Sequence, residues 1–248
     1  MSRLRILVLL PLCFVWLVGR AQQGGDVEAQ ILYAFHVEDT NQLANVAQTL
    51  RTQMQANGAD TASRYHLAHA EYRLGLLAGE LHAGNAKGAF AECVEELKPI
   101  LAEDGNSVES LSLQSACYSS LAAYEKLQAV LLRTRAASRL QSAAKLAPRN
   151  PRVVYLMAMG DLARSKAGSE ENARALGELK LAVQLFEQTS ATSVEMPGWG
   201  HAEAYLDLGR QLESRGDWLG ARNWIEKSLL IAPDFKAAQR QRATLAGH

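Results

Sequence analysis

The chain has 248 residues, 48% of them hydrophobic and 21% charged, with 26 basic side chains against 26 acidic ones. Length allows one or two domains, and the apolar content is enough to bury a core. Balanced charge excludes the basic footprint expected of a nucleic-acid-binding chain, and scarce proline with abundant Ala and Leu favours helix over strand.

Met1–Ala21 reads as a secretory signal. Arg3 and Arg5 form a positive start, Ile6 to Val18 is an apolar core short for a bilayer span, and Gly19-Arg20-Ala21 offers small residues for cleavage after Ala21. Cys13 sits inside the apolar core without the small residues that precede a lipidated cysteine. The expectation is a chain exported to the periplasm and starting near Gln22. The alternative is an uncleaved membrane anchor. Without the three leader arginines, 23 basic residues face 26 acidic ones, a net of about −3.

Helices follow in sequence. Val27–Phe35 is short. Thr40–Ala56 carries Leu43, Val46, Ala47 and Leu50 at helical spacing and ends at Asn57-Gly58. Thr61–Leu81 is followed by a loop, His82–Asn85, and by Ala86–Ala102, whose apolar face is Phe90, Cys93, Val94, Leu97 and Leu101. Pro99 there would kink the helix or end it early. Asp104-Gly105-Asn106 is a turn, and Ser107–Tyr124 a helix with Ser107 as N-cap. Glu125–Arg133 has no Gly or Pro to mark its turn. Thr134–Ala147 ends at Pro148, and Asn150-Pro151 opens a helix to about Ala163, in which either Ala158 or Gly160 takes the small-residue place. Ala173–Gln188 is the next helix, with a loop on each side at Lys166–Asn172 and Thr189–Pro197. After the hairpin described next, Phe235–Leu245 is a polar closing helix.

Ala202–Pro233 shows the organising unit. Gly209 and Ala221 are small, Tyr205, Leu208, Leu212 and Ile225 are large, Gly216-Asp217 breaks the chain, and Pro233 ends it. Small residues let two antiparallel helices approach, and the large ones fill the space around the contact. This order resembles the tetratricopeptide repeat, whose pattern is W-x2-L-G-x2-Y, A-x3-F and P in about 34 residues. Ala136-x3-Leu140 with Pro148 matches its second half, and Tyr65-x2-Ala68-His69-x2-Tyr72 matches the spacing of its first, with His69 in the small place. Pro148 and Pro233 stand 85 positions apart, which leaves 17 for loops beyond two repeats. The runs SACY at Ser115, LAPRNP at Leu146 and WGHAEAYLDLG at Trp199 are similar to exported bacterial proteins of this kind without assigned activity. The resemblance implies an all-α, right-handed solenoid of antiparallel helix pairs over residues 22–248, closed by a polar capping helix. It implies a concave face that binds a partner protein or peptide, and it implies no reaction.

Candidate chemistry is sparse. There is no nucleophile elbow, no phosphate-binding glycine loop, no C-x-x-C pair and no cofactor motif, so the chain reads as a non-enzyme. His66 and His69 are helical neighbours and could supply two metal ligands, but no third is fixed, so no metal is expected. Cys93 and Cys117 each lie about 12 residues from the turn near Gly105, so an antiparallel pair puts them at one height. They are either a disulfide or two buried thiols. Trp199 and Trp218 read as packing residues. By the repeat register the concave face presents Ser63, His66, Ala70 and Arg73 from one helix and Glu203, Leu206, Arg210 and Glu213 from another. That surface is mixed in charge. The expected function is a protein- or peptide-binding scaffold. The alternative is an assembly factor anchored at an envelope complex by its retained N-terminal segment.

Overall fold

The computed structural model describes residues 27–190 and 197–247. The leader and its cleavage site after Ala21 lie outside the described residues, as does most of the loop expected over Thr189–Pro197. Among the described residues there are helices and no strand. They are α1 (27–36), α2 (Thr40–Asn57), α3 (Thr61–Glu80), α4 (Ala86–Glu103), α5 (Val108–Leu121), α6 (Ala129–Leu146), α7 (Pro151–Arg164), α8 (Glu170–Ser190), α9 (His201–Glu213), α10 (Trp218–Ile231) and α11 (Lys236–Thr244).

Local chemistry starts most of these helices. Asp39, Asp60, Asn85 and Asp217 each accept a hydrogen bond from the backbone N–H three residues on, at 2.7 to 2.9 Å. Asn150 accepts from Arg152 and Val153, with Pro151 at the first helical position, where its missing N–H is not needed. Ser107 stands where the N-cap was expected, but its hydroxyl bonds Ser110 instead of the backbone. Pro99 neither ends nor shortens α4, which continues to Glu103. The unmarked turn falls at residues 122–128, so α6 starts at Ala129, five residues ahead of the expected Thr134. Backbone bonds from Ala122 to Gln128 close that corner without Gly or Pro.

The helices pack as consecutive pairs: α3 on α4, α5 on α6, α7 on α8 and α9 on α10, with α4 meeting α5 and α8 meeting α9 between pairs. Each seam has a close approach. A Cβ on Gly209 would lie 2.7 Å from Ile225 Cγ1 and 3.1 Å from the Ala221 carbonyl oxygen. Ser115 donates to the Ala136 carbonyl at 2.8 Å, and Ser228 to that of Ala202 at 2.8 Å. In α7 the small-residue place belongs to Ala158, which is fully buried, while Gly160 faces only the Arg164 side chain. Cys93 of α4 and Cys117 of α5 are bonded, with Cα atoms 6.2 Å apart, and both are fully buried.

Candidate functional site

The first helices of the pairs form the inner side of the stack, and the inner side closes on itself. Arg73 of α3 reaches Glu203 of α9 at 2.5 Å, and Trp199, just before α9, donates its indole N–H to Tyr65 of α3 at 2.9 Å. α1 enters the same junction. Its Glu28 lies 3.4 Å from His66 Nδ1 and 3.6 Å from His69 Nδ1, and accepts the Gly198 N–H at 3.2 Å. Phe35 of α1 packs under the Arg73 guanidinium, 4.2 Å from its carbon, and against Phe235 before α11.

The charges in this clasp are set by burial acting against close charged neighbours. Burial alone would raise the Glu28 carboxyl, but His69 and His66 beside it, with Arg152, hold it down at about 2. Burial drives His69 down to about 3, against the pull of Glu28. The His69 ring is therefore neutral at ordinary pH. Arg73 Nε donates to its Nε2 at 3.0 Å, so the ring proton belongs on Nδ1, facing Glu28. Glu203 is also pushed up by burial, and Arg73 outweighs that to lower it. It accepts the Gly200 N–H at 3.0 Å and so caps the helix it sits on. Gly200 is at φ +100°, and a Cβ there would lie 2.8 Å from Phe186. Every charged group of the clasp faces an opposite charge, a ring nitrogen or a backbone amide, an arrangement that locks helices together. No three His, Cys, Asp or Glu among the described residues form a group able to hold a metal.

One part of the inner side stays open. A pocket of about 370 Å³ lies between Tyr72 and Leu76 of α3, Tyr155 of α7, Asp207 and Arg210 of α9, and Phe235. Tyr155 donates to Asp207 at 2.7 Å, and Arg210 approaches the other carboxylate oxygen at 3.3 Å. Burial raises the Asp207 pKa in spite of both. At the rim Arg240 of α11 spans Glu38 at 2.6 Å and Glu80 at 2.7 Å.

The seven expected groove residues divide sharply. His66 belongs to the clasp with α1, whereas Arg73, Glu203 and Leu206, although largely buried, line the pocket. Ser63 sits in the first turn of α3, where its N–H bonds the Asp60 cap. Glu213 is half-buried and bonds Gln241. Arg210 alone is exposed at the pocket. The register of α3 needs correction. Its close approach to α4 is at Gly75, where a Cβ would lie 2.5 Å from Phe90, and not at His69. Shifting the register by six replaces Ser63, His66, Ala70 and Arg73 with His69, Tyr72, Leu76 and Gly79, of which Tyr72 and Leu76 line the pocket. The signal was present in the string Leu74-Gly75, which repeats Leu208-Gly209. Trp199 is buried as expected, whereas Trp218 is 38% exposed.

Two antiparallel seams built on glycine, Gly75 against Phe90 and Gly209 against Ala221 and Ile225, decide the architecture. The fold is a tetratricopeptide-like helical repeat. No protein-family model matches the chain and no curated protein is detectably similar. Among solved structures, the crystal structure of MamA is 15% identical over 84% of this chain and 93% of that one, with a TM-score of 0.33. A similarity that low carries nothing further.

Proposed function

We propose that the chain is a non-enzymatic scaffold whose pocket between α3, α7, α9 and α11 receives a short segment of a partner protein or peptide. The pocket itself carries the reading. It offers apolar faces from Tyr72, Leu76 and Phe235 beside the polar edge of Asp207 and Arg210. That mix suits one or two side chains and a main-chain amide. Its walls are already held by the clasp, so a ligand would order little on binding. Export supports itself on the Cys93–Cys117 bond, since disulfides persist in oxidising compartments.

The test is photo-crosslinking. A crosslinking amino acid at Glu80 on the rim is compared with one at Lys180 on the outer helix α8, in the native host. A discrete adduct from position 80, absent from position 180 and lost in Tyr72→Ala, is expected. Equal labelling from both positions, or adducts indifferent to Tyr72, would sink the proposal.

A further inference from the structure

The outer surface carries a feature that the inner side does not explain. From Lys126 to Gly160 the chain has no Asp or Glu. It does have Lys126, Arg133, Arg135, Arg139, Lys145 and Arg149, all exposed, together with the buried Arg152, which is paired with Glu109. Among the described residues none of those six exposed cations stands against a carboxylate. Elsewhere Arg51, Arg64, Lys87, Lys98, Lys227 and Arg240 are each matched to an acid, and singly placed cations such as Lys180 and Lys236 have Glu178 and Asp234 close by in the chain. Six unmatched cations in a stretch without a single acid make a local field, although the net charge of the chain is zero.

Apolar side chains stand among these cations. Leu127 is wholly exposed and Val130 is 78% exposed, with Leu131 about half exposed beside them. On α6 the stripe Leu132, Ala136 and Ala143 is buried toward α5. Successive residues turn by about 100°, so Val130, Leu131, Thr134 and Ser138 run along the outward face, with Arg133 and Arg135 flanking Thr134 on its two sides. The result is an apolar tip at the start of an outer helix, bordered by cations on both flanks.

We propose that this face of α6 docks on the surface of an anionic lipid bilayer. Lys126, Arg133 and Arg135 meet the headgroup charges, and Leu127 and Val130 enter the boundary beneath them. A nucleic acid would match the cations and give the two apolar tips nothing. A folded acidic partner would need a groove to reach tips that stand out from an outer helix, whereas a flat bilayer reaches them directly. The docked chain would keep its inner pocket free. This proposal stands whether or not that pocket binds a peptide.

The experiment uses the full chain carrying Cys13→Ser, with an environment-sensitive fluorophore on Leu127→Cys, Cys93 and Cys117 being bonded to each other. Vesicles of phosphatidylcholine alone are compared with vesicles that also contain phosphatidylglycerol. A label on Lys180→Cys serves as control, because the apolar leader could bring any variant to a membrane without moving position 127 into it. A blue shift at position 127 with the anionic vesicles only, reversed by salt and absent at position 180, is the expected result. Each cation near an anionic surface is worth about fivefold in partitioning, so Lys126→Gln, Arg133→Gln and Arg135→Gln together should weaken that signal by about a hundredfold. Those three exposed substitutions should leave the circular dichroism unchanged. No shift at position 127, an equal shift on neutral vesicles, or a triple variant equal to the parent overturns the proposal. Binding to polyglutamate or DNA without a vesicle response also overturns it and assigns the face to a polyanion.

Discussion

Arg73 of α3 and Glu203 of α9, 130 positions apart in the chain, form a 2.5 Å ion pair with 3% and 12% of their side chains exposed. Removing one partner leaves the other charge buried and unmatched. Arg73→Met should cost about 3–5 kcal/mol, while Arg73→Met with Glu203→Gln should recover much of that loss. Chemical denaturation of the four species gives the coupling directly. Additive losses would mean that the two residues do not share a site.

Acid should open the same clasp. Glu28 is lowered to about 2 from an ordinary value near 4.5, so its contribution is complete above 4.5 and is lost as pH falls toward 2. His69 is lowered to about 3 from 6.5, so the unfolded chain takes up its proton first and stability falls as pH drops from 6.5 toward 3. His36 and His201 are lowered as well, chiefly by burial, and act in the same direction. The melting temperature should therefore decline steadily below pH 6.5, and His69→Gln should make that decline shallower. An unchanged slope in that variant would remove His69 from the explanation.

Glu71 should act in the opposite sense. Burial first, then the nearby Glu92, raise it to about 7, against the pull of Arg51, which divides its guanidinium between the two carboxylates. A carboxyl with a raised value stabilises the fold below its unfolded value of 4.5 and loses that contribution as pH climbs to 7. The loss is on the order of 1–2 kcal/mol, less than the full shift, because Arg51 and Glu92 stand partly in solvent. Glu71→Gln removes this opposing contribution, so the variant's stability should fall more steeply than the parent's between pH 7 and 4.5, which a pH series of urea midpoints would register.

The disulfide closes a loop with a sequence separation of 24 between α4 and α5. Chain entropy for a loop of that length corresponds to about 3 kcal/mol. Reduction, or Cys93→Ala with Cys117→Ala, should lower the unfolding free energy by that amount without loss of helix content. Circular dichroism beside a denaturant titration measures both.

Much of the helix order was legible because it is written locally. The apolar periods of α2, α4 and α8 follow directly from spacing, and Asn150-Pro151 marks the start of α7, whereas the caps Asp39, Asp60, Asn85 and Asp217 went unread and the one named, Ser107, bonds Ser110. The corner at 122–128 was not legible, because it is closed by backbone bonds among ordinary residues. The inner side was misread for a different reason. Tyr65 and Tyr72 imitate the aromatic spacing of a repeat, but Tyr65 is used to hold Trp199, from 134 positions away, and Tyr72 to line the pocket. Nothing local to α3 announces that α1 and α9 will meet on it. The unmatched charge on α6 was visible in the sequence as a run without acids, and was masked by the balanced total.

Glycine substitutions test the corrected register most directly. Gly75, Gly177 and Gly209 are all inside helices, and alanine in an open helix position gains up to about 1 kcal/mol. Gly177 has nothing within 4 Å of an added Cβ, so Gly177→Ala should stabilise by about 0.5–1 kcal/mol. At Gly209 the Cβ would press on Ile225 and on the fixed Ala221 carbonyl, and at Gly75 on three atoms of the Phe90 ring. Overpacking costs about 1–3 kcal/mol and outweighs the propensity gain, so both variants should lose about 1–2 kcal/mol. Phe90→Leu should relieve Gly75→Ala and leave Gly209→Ala untouched. If Gly75→Ala gained stability as Gly177→Ala does, the small-residue place in α3 would revert to His69, and Tyr72 and Leu76 would lose their equivalence to Leu206 and Arg210.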